Sequence, residues 1–271
     1  MGADSRETAM RTLLVLATLS ALGFVSATSA VAAGGIGVVL LHGKTGTPSQ
    51  FDKLAKALTD DGYAVAVPEM CWSKTRIFDE PFSDCLKDID AAVASLKAAG
   101  AGAVVVAGMS QGGMAALDYG VDHAGIAAIV AMAPAGDPPD LGKAPTLAAS
   151  VKSAVALIGA GKADVSADFN DVITGDIPVP VKATPLAFLS FHGPDSQIAT
   201  MKRLSASVLP HLKVPVLWIA GTRDPSQDGT RVSFARIPKN ALSRYAEVDA
   251  DHGGTPDASP DVLTAWLATL K

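Results

Sequence analysis

A serine flanked by glycines in the middle of the chain constrains the fold most. The pentapeptide 108–112, Gly-Met-Ser-Gln-Gly, directly follows the apolar run 102–107 and precedes a stretch of helical character. A serine on such a sharp strand-to-helix turn strains the backbone, and the residues two positions away must be small because chain segments crowd there. Gly108 and Gly112 meet this requirement. The pattern predicts a turn that exposes Ser110 as a nucleophile; the alternative is an ordinary turn with an exposed serine.

Apolar runs alternate with helical segments along most of the chain. The runs predicted as strands are 36–41, 63–67, 103–107, 126–132, 214–220 and 244–248. The segments predicted as helices are one opened by a capping box at 47–50 and ended by Gly62, then 81–99, 112–119, and 260–270 with Ser259 as its cap. Continuous apolar strands separated by helices indicate an α/β fold, with a mainly parallel, doubly wound sheet of about six strands.

The stretch between residues 134 and 215 interrupts this alternation. It contains Asp137-Pro138-Pro139, the alanine-rich segment 144–161 and the Ile-Pro-Val-Pro sequence 177–180, and it is too long for a simple connection. We predict a cap insertion at about 135–213 within a single domain, residues 34–271. Such a cap would cover the carboxyl ends of the strands, where open α/β sheets bind ligands, and a peripheral decoration is the alternative.

Residues 1–33 have the pattern of a signal peptide. Two arginines precede the apolar run 13–25, which is too short to span a bilayer, and the small residues 30–32 follow it. Met1 and Met10 both fit as the start of such a signal. We expect cleavage, export to the periplasm or the exterior, and no stable membrane anchor; an uncleaved anchor is the alternative.

The chain has two cysteines, Cys71 and Cys85. In an oxidising compartment a pair so close in sequence can bridge, and we predict a structural disulfide, with two buried thiols as the alternative. The cysteines lack CxxC spacing, so redox catalysis and a metal site are poorly supported.

Composition and the remaining glycine-rich segments favour small-molecule chemistry without a cofactor. The net charge of −5 gives no reason to expect nucleic acid as a partner. The Gly43-Lys44-Thr45 sequence lacks the leading glycine of a phosphate-binding loop, because Val38 occupies that position. The segment 34–37 lacks the third glycine of a dinucleotide-binding turn. We therefore expect neither nucleotide nor metal.

Four motifs together make the chain resemble the α/β-hydrolase superfamily over most of the sequence after residue 33. They are Leu40-Leu41-His42-Gly43, Gly108-Met109-Ser110-Gln111-Gly112, Gly221-Thr222-Arg223-Asp224-Pro225 and Asp251-His252-Gly253. The resemblance implies an α/β-hydrolase fold in which a serine, an acid and a histidine follow successive strands in that order.

The chemistry of these residues assigns their expected roles. Ser110 would attack an acyl carbon, and His252 would take the serine proton and return it to the leaving group. Asp224, after an apolar strand, is the preferred acid that orients His252, and Asp228 and Asp137 are alternatives. The other candidate histidines are interpreted as structural: His123, His192 and His211.

An oxyanion needs donors, and two backbone N–H groups are expected to supply them. Gln111 follows the serine directly, and the resemblance puts the second donor at Lys44. The Lys44 side chain is interpreted as a solvated surface group, with attraction of an acidic substrate as the alternative. His42 is expected to fix its loop by hydrogen bonds, and Trp72 either lines an acyl pocket or packs in the core.

The sequence thus predicts an exported serine hydrolase of the carboxylesterase type. It would cleave a small-molecule ester through an acyl-enzyme. A peptidase or thioesterase could use the same residues, and a non-catalytic secreted binding protein on the same fold is the alternative from another class. Acyl-chain length and oligomeric state are not predicted.

Overall fold

A central sheet of six parallel strands organises the molecule. The computed structural model describes residues 34–135, 144–172 and 177–270, so the predicted signal peptide and Asp137 lie outside the described residues. The strands are β1 Ile36–Leu41, β2 Ala64–Ala66, β3 Ala103–Met109, β4 Ala128–Met132, β7 Val216–Gly221 and β8 Arg244–Val248. Their order in the sheet is β2-β1-β3-β4-β7-β8. The predicted α/β fold with about six strands is confirmed.

The sheet is buried on both faces, which explains its continuous apolar strands. In β1, Val39 and Leu41 pack in one core while Val38 and Leu40 pack in the other, and all four side chains are fully buried. Successive side chains of a strand point to opposite faces, so both faces need apolar residues where helices cover both.

Helices cover the two faces of this sheet. Their bounds are α1 Asp52–Asp60, α2 Phe82–Ala98, α3 Gln111–Asp122, α7 Thr230–Phe234 and α8 Pro260–Leu267. Gly62, with φ of +87°, allows the turn that follows α1. Ser259 occupies the N-cap position of α8 as predicted, but its hydroxyl donates to the Thr255 carbonyl, so the expectation of a capping hydrogen bond is wrong.

The capping box predicted at 47–50 is also wrong. A 3₁₀ turn, Pro48–Phe51, precedes α1, and no side-chain bond caps it at Thr47. The Thr47 hydroxyl instead lies 2.7 Å from the Ser49 hydroxyl, and the Gln50 side chain turns toward the loop after β1.

The insertion between β4 and β7 forms a small layer of its own. It contains α4 Pro145–Gly159, the antiparallel hairpin β5 Ala167–Val172 and β6 Pro178–Ala183, α5 Pro185–His192 and α6 Met201–Ser207. Helix α5 packs on α4 and α2, and the Phe82 N–H donates to the Ser190 hydroxyl at 2.8 Å. The insertion therefore rests directly on the helix layer of the main sheet.

A disulfide joins the loop after β2 to the first turn of α2. Cys71 and Cys85 are bridged, with their Cα atoms 5.7 Å apart, and both are fully buried. The predicted pairing is confirmed.

None of the helices in the described part of the chain is both long and apolar enough to cross a membrane.

Candidate active site

Ser110 lies in a strained turn between β3 and α3. Its backbone has φ of +55° and ψ of −120°, a conformation that residues other than glycine rarely adopt. Its N–H donates to the Met132 carbonyl at 3.0 Å, which fixes the turn against β4. The strain is therefore held by the neighbouring strand, and the serine stands at the N-terminus of α3.

The two glycines of the pentapeptide are required by close backbone packing. A Cβ at Gly108 would collide with the carbonyl oxygen of Gly112, and a Cβ at Gly112 would collide with that of Leu41. Both obstructing atoms belong to the backbone, so a side chain at either position would force the main chain to shift. The sharp strand-to-helix turn predicted around Ser110 thus has the close backbone packing that its glycines implied.

The loops after β7 and β8 bring Asp224 and His252 to the same edge. The Thr222 N–H donates to the Val248 carbonyl at 2.9 Å, and the Arg223 N–H donates to the Ala250 carbonyl at 3.0 Å. A Cβ at Gly221 would lie 2.6 Å from the Ala250 oxygen, so only glycine lets these loops approach so closely.

Ser110, His252 and Asp224 form one chain of hydrogen bonds. His252 Nε2 lies 3.0 Å from Ser110 Oγ, and His252 Nδ1 lies 2.6 Å from Asp224 Oδ2. The His252 side chain is 38% exposed, whereas that of Asp224 is 3% exposed. The acid is therefore shielded while the imidazole and the serine can meet a ligand from solvent.

Ser226 holds the second oxygen of Asp224 and was missed from the sequence. Its N–H and its hydroxyl both donate to Asp224 Oδ1, at 3.0 and 2.7 Å, and its Oγ lies 3.2 Å from His252 Nδ1. The Asp-Pro-Ser sequence was a usable signal, because an aspartate often bonds the backbone two residues on.

No hydrogen bond among the described residues joins Asp228, His123, His192 or His211 to Ser110 or His252. Asp228 is exposed, and Asp137 is outside the described residues. His123 stacks on Tyr119, His192 is buried beside Asp171, and His211 is exposed at the end of a 3₁₀ turn.

The loop after β1 is fixed around a buried His42. The His42 Nε2 accepts the Met70 N–H at 3.0 Å, so Nδ1 carries the proton and donates to the Gly43 carbonyl at 2.9 Å. Burial lowers the pKa of this imidazole, which agrees with the neutral form. The indole of Trp72 donates to the His42 carbonyl at 2.8 Å and is fully buried, which favours packing over an acyl pocket.

Gln50 joins this loop to the strand that carries Ser110. Its Oε1 accepts the Gly43 N–H at 2.8 Å, and its Nε2 contacts Met109 Sδ at 3.3 Å. A Cβ at Gly43 would lie 3.4 Å from Ser110 Cβ, so the loop passes directly beside the serine.

The Lys44 side chain is not the solvated group that the sequence suggested. Its ammonium donates to Asp171 Oδ1 at 3.2 Å and to the Val172 carbonyl at 2.7 Å, and the two side chains are 11% and 1% exposed. His192 Nε2 lies 3.7 Å from the same carboxylate oxygen. The loop after β1 is thus bound to the hairpin of the insertion, which places β5 at the same edge as Ser110.

The part of the chain that the structure describes contains no cluster of side chains suited to binding a metal ion. No group of three or more histidine, cysteine, aspartate or glutamate side chains there could hold an ion.

Comparison with known proteins agrees with this fold. The sequence profile of the alpha/beta hydrolase family matches residues 38–266. The chain therefore belongs to the alpha/beta hydrolase family. A search of the curated proteins found no match.

Solved structures with the same fold include lipolytic and lactone-cleaving enzymes. One of the metagenome-derived lipolytic enzymes LipS and LipT is 22% identical, with a TM-score of 0.59 over 89% of this chain and 95% of that one. The monoacylglycerol lipase of Paleococcus ferrophilus is 19% identical, with a TM-score of 0.63 over 88% and 97%. The enol-lactonase of Burkholderia xenovorans LB400 is 17% identical, with a TM-score of 0.54 over 87% and 92%. Membership of the family supports hydrolase activity.

Proposed function

We propose that the protein is an exported serine hydrolase that cleaves a carboxylic ester of a small molecule. The observation that carries the proposal is the hydrogen-bonded chain from Ser110 through His252 to Asp224. A hydroxyl is a poor nucleophile unless a base accepts its proton, and an imidazole at 3.0 Å is within reach for that transfer.

The first half of the reaction forms an acyl-enzyme. Ser110 Oγ attacks the ester carbon while its proton passes to His252 Nε2. The carboxylate of Asp224 accepts a hydrogen bond from the Nδ1–H of His252 and stabilises the imidazolium without taking its proton. Collapse of the tetrahedral intermediate breaks the bond to the alcohol oxygen, which leaves with the proton from Nε2. Water then repeats the attack on the acyl-enzyme, with His252 as its base, and releases the acid.

The oxyanion of the intermediate would be bound by the N–H groups of Gln111 and Lys44. Gln111 is the first residue of α3, where a helix has no internal partner for its N–H. The peptide of Lys44 is fixed from both sides, because the N–H groups of Gly43 and Thr45 are bound by Gln50 Oε1 and the Trp72 carbonyl. Such preorganised donors stabilise developing charge at no cost of reorganisation.

Export is supported by the signal-like pattern of residues 1–33 and by the disulfide. Disulfides persist in oxidising compartments and are rare in the cytosol. Intact mass of the protein recovered from the exported fraction should correspond to a chain that begins near residue 33. A full-length mass there would contradict cleavage.

A panel of p-nitrophenyl esters of graded acyl length tests the proposed activity. Wild type should release p-nitrophenol with saturation kinetics, and Ser110→Ala should lose at least about 10³-fold in kcat while keeping its thermal midpoint. Ser83→Ala, in the first turn of α2, is the control and should match wild type. Hydrolysis of matched amides or thioesters faster than esters would reassign the substrate class, and a folded protein inert to all three would favour a binding protein.

A further inference from the structure

A cavity lies between the insertion and the helix layer. Its volume is about 650 Å³, and its walls come from α2, α3, α4, α5 and the loop after α5. Most of the lining is apolar, with Phe82, Leu86, Val155 and Leu189 among its residues. This volume is in the range of small-molecule sites.

The cavity is distinct from the candidate active site. None of Ser110, Asp224 and His252 is among the described residues that line it. Ser110 precedes α3, whereas the lining residue of that helix, Asp118, lies two turns further along it.

The charged side chains that line the cavity are all acidic. Asp118 and Asp195 line it, and the described lining includes no lysine, arginine or histidine. Within the described residues no hydrogen bond or ion pair reaches the Asp118 carboxylate. Burial and the nearby charge of Asp122 raise the pKa of Asp118 to about 6. The imidazole of His123 opposes this rise, but no cation among the described residues forms an ion pair with the Asp118 carboxylate.

Ser196 supplies a second uncompensated polar group. It lines the cavity and is 7% exposed, and its hydroxyl is buried without a hydrogen-bond partner among the described residues. Buried polar groups without partners are rare, because each costs the desolvation of that group. A ligand that carries hydrogen-bond donors would satisfy both Ser196 and Asp118.

We propose that this cavity binds an amphipathic organic cation, with its apolar body against the helix side chains and a protonated amine on Asp118. A cation is favoured because the two lining carboxylates repel an anion, and a neutral molecule would leave ionised Asp118 without a cation to pair with. The amine has donors for both the carboxylate and the Ser196 hydroxyl. The apolar walls provide most of the contact area and the carboxylate selects the charge.

Calorimetric titration with 1-naphthylmethylammonium, compared with the uncharged 1-naphthylmethanol, tests this site. The full chain with Ser110→Ala is the titrated protein, so turnover at the candidate active site cannot interfere. We expect saturable one-to-one binding of the ammonium probe, about tenfold tighter than the alcohol. Equal affinity of the two probes, or no saturable binding at millimolar concentration, would overturn the proposal.

Variants locate the site and separate it from a general charge effect. Asp118→Asn should remove the preference for the cation and leave affinity for the alcohol within about twofold, and Ser196→Ala should weaken the ammonium probe about threefold. Asp164→Asn removes the same charge from an exposed turn outside the lining, and should leave both affinities unchanged. A preference that survives Asp118→Asn would contradict the assignment.

Discussion

Gln50 is the residue that couples the two backbone segments beside Ser110. Its amide accepts the N–H of Gly43 in the loop after β1 and contacts Met109, the residue before the serine. The serine and one proposed oxyanion donor thus share a single positioning side chain. An error of about 1 Å in such positions can lower the rate about 10²-fold.

We expect Gln50→Ala to lower kcat on p-nitrophenyl acetate by about 10–100-fold with little change in KM. The reason is that the Gly43 N–H loses its acceptor and the loop loses its alignment with Ser110. Steady-state kinetics measures the split between kcat and KM.

Two further variants separate positioning from a loss of fold. Gln50→Glu keeps an oxygen acceptor for the Gly43 N–H and should recover most of kcat. Ser49→Ala, at the exposed neighbouring position, should match wild type. A Gln50→Ala enzyme with unchanged kcat would remove Gln50 from the positioning of this loop.

The buried Lys44–Asp171 pair gives a prediction for stability. Lys44→Met should destabilise the fold by about 3 kcal/mol, because the Asp171 carboxylate would be left without its cation in the interior. The double variant Lys44→Met/Asp171→Asn should cost less than the two single variants summed. Urea unfolding measures these differences.

The same hairpin offers a matched control. Lys182 and Asp168 lie 4.0 Å apart with side chains 72% and 88% exposed, and loss of such a surface pair should have little effect. Equal losses at the buried and exposed pairs would contradict the buried role of Lys44.

Local signals located Ser110, His252 and Asp224, whereas contacts between distant segments were not predictable. The glycine-flanked strand-to-helix turn indicated Ser110, and the loops after apolar strands indicated Asp224 and His252. The catalytic roles of these three residues remain a prediction. The partner of Lys44 is 127 residues away in sequence, so nothing near the lysine indicated its burial. At Gln50 the local capping pattern was present, but the Gly43 N–H took the side chain instead.

At the scale of elements, the disulfide anchors the segment that supports the loop after β1. Cys71 lies between Met70, whose N–H is bound by His42, and Trp72, which bonds both the His42 carbonyl and the Thr45 N–H. The bridge to Cys85 ties this segment to α2. The disulfide therefore restrains both the fold and the loop after β1 that carries the proposed oxyanion donor Lys44.

Removal of the bridge by Cys71→Ala/Cys85→Ala should lower stability by about 3 kcal/mol, on the chain-entropy account of a loop of this size. The thermal midpoint should fall by roughly 5–10 °C, measured by calorimetry. Reductant should produce a similar fall in wild type and none in the variant. A wild-type midpoint that is insensitive to reductant under unfolding conditions would contradict the contribution of the bridge.

The sequence predicted the type of most elements of the main sheet, but their ends less well. The first and last strands, β1 and β8, have the predicted bounds, whereas β2 is only three residues long. The ends of an element depend on pairing with its neighbours: β2 pairs with β1 only at Ala64, Val65 and Ala66. Residues beyond that register leave the sheet whatever their own propensity.

At the scale of the whole molecule, the insertion packs on the helix layer and also reaches the edge where Ser110 lies. The insertion follows the carboxyl end of β4, and this is the edge at which open α/β sheets bind ligands. Its internal structure was not predicted, because the helices and the hairpin depend on contacts with α2 and with Lys44. We propose that this cap shapes access to Ser110.

Asp118, between the insertion and α3, makes stability depend on pH. Its pKa is raised from 3.8 to about 6, so between these values the folded protein binds a proton that the unfolded chain does not. The contribution of Asp118 to the free energy of unfolding is fully present below pH 4 and is lost as the pH rises through 6. Ionisation of Asp118 therefore lowers the free energy of unfolding by at most about 3 kcal/mol.

We accordingly expect Asp118→Asn to raise the thermal midpoint by roughly 5–10 °C at pH 8, with the gain disappearing near pH 4. Calorimetry across this pH range measures the effect, and Asp164→Asn is the exposed control. A gain that is the same at pH 4 and pH 8 would contradict the linkage to ionisation.

The central claim is that Ser110 is a nucleophile activated by His252, and covalent labelling tests it most directly. A fluorophosphonate probe should add one phosphonyl group to the wild-type chain, and mass spectrometry of its peptides should locate the group on Ser110. His252→Ala should remain folded and label at least about 10²-fold more slowly. Labelling at another serine, or an undiminished rate without His252, would contradict the account.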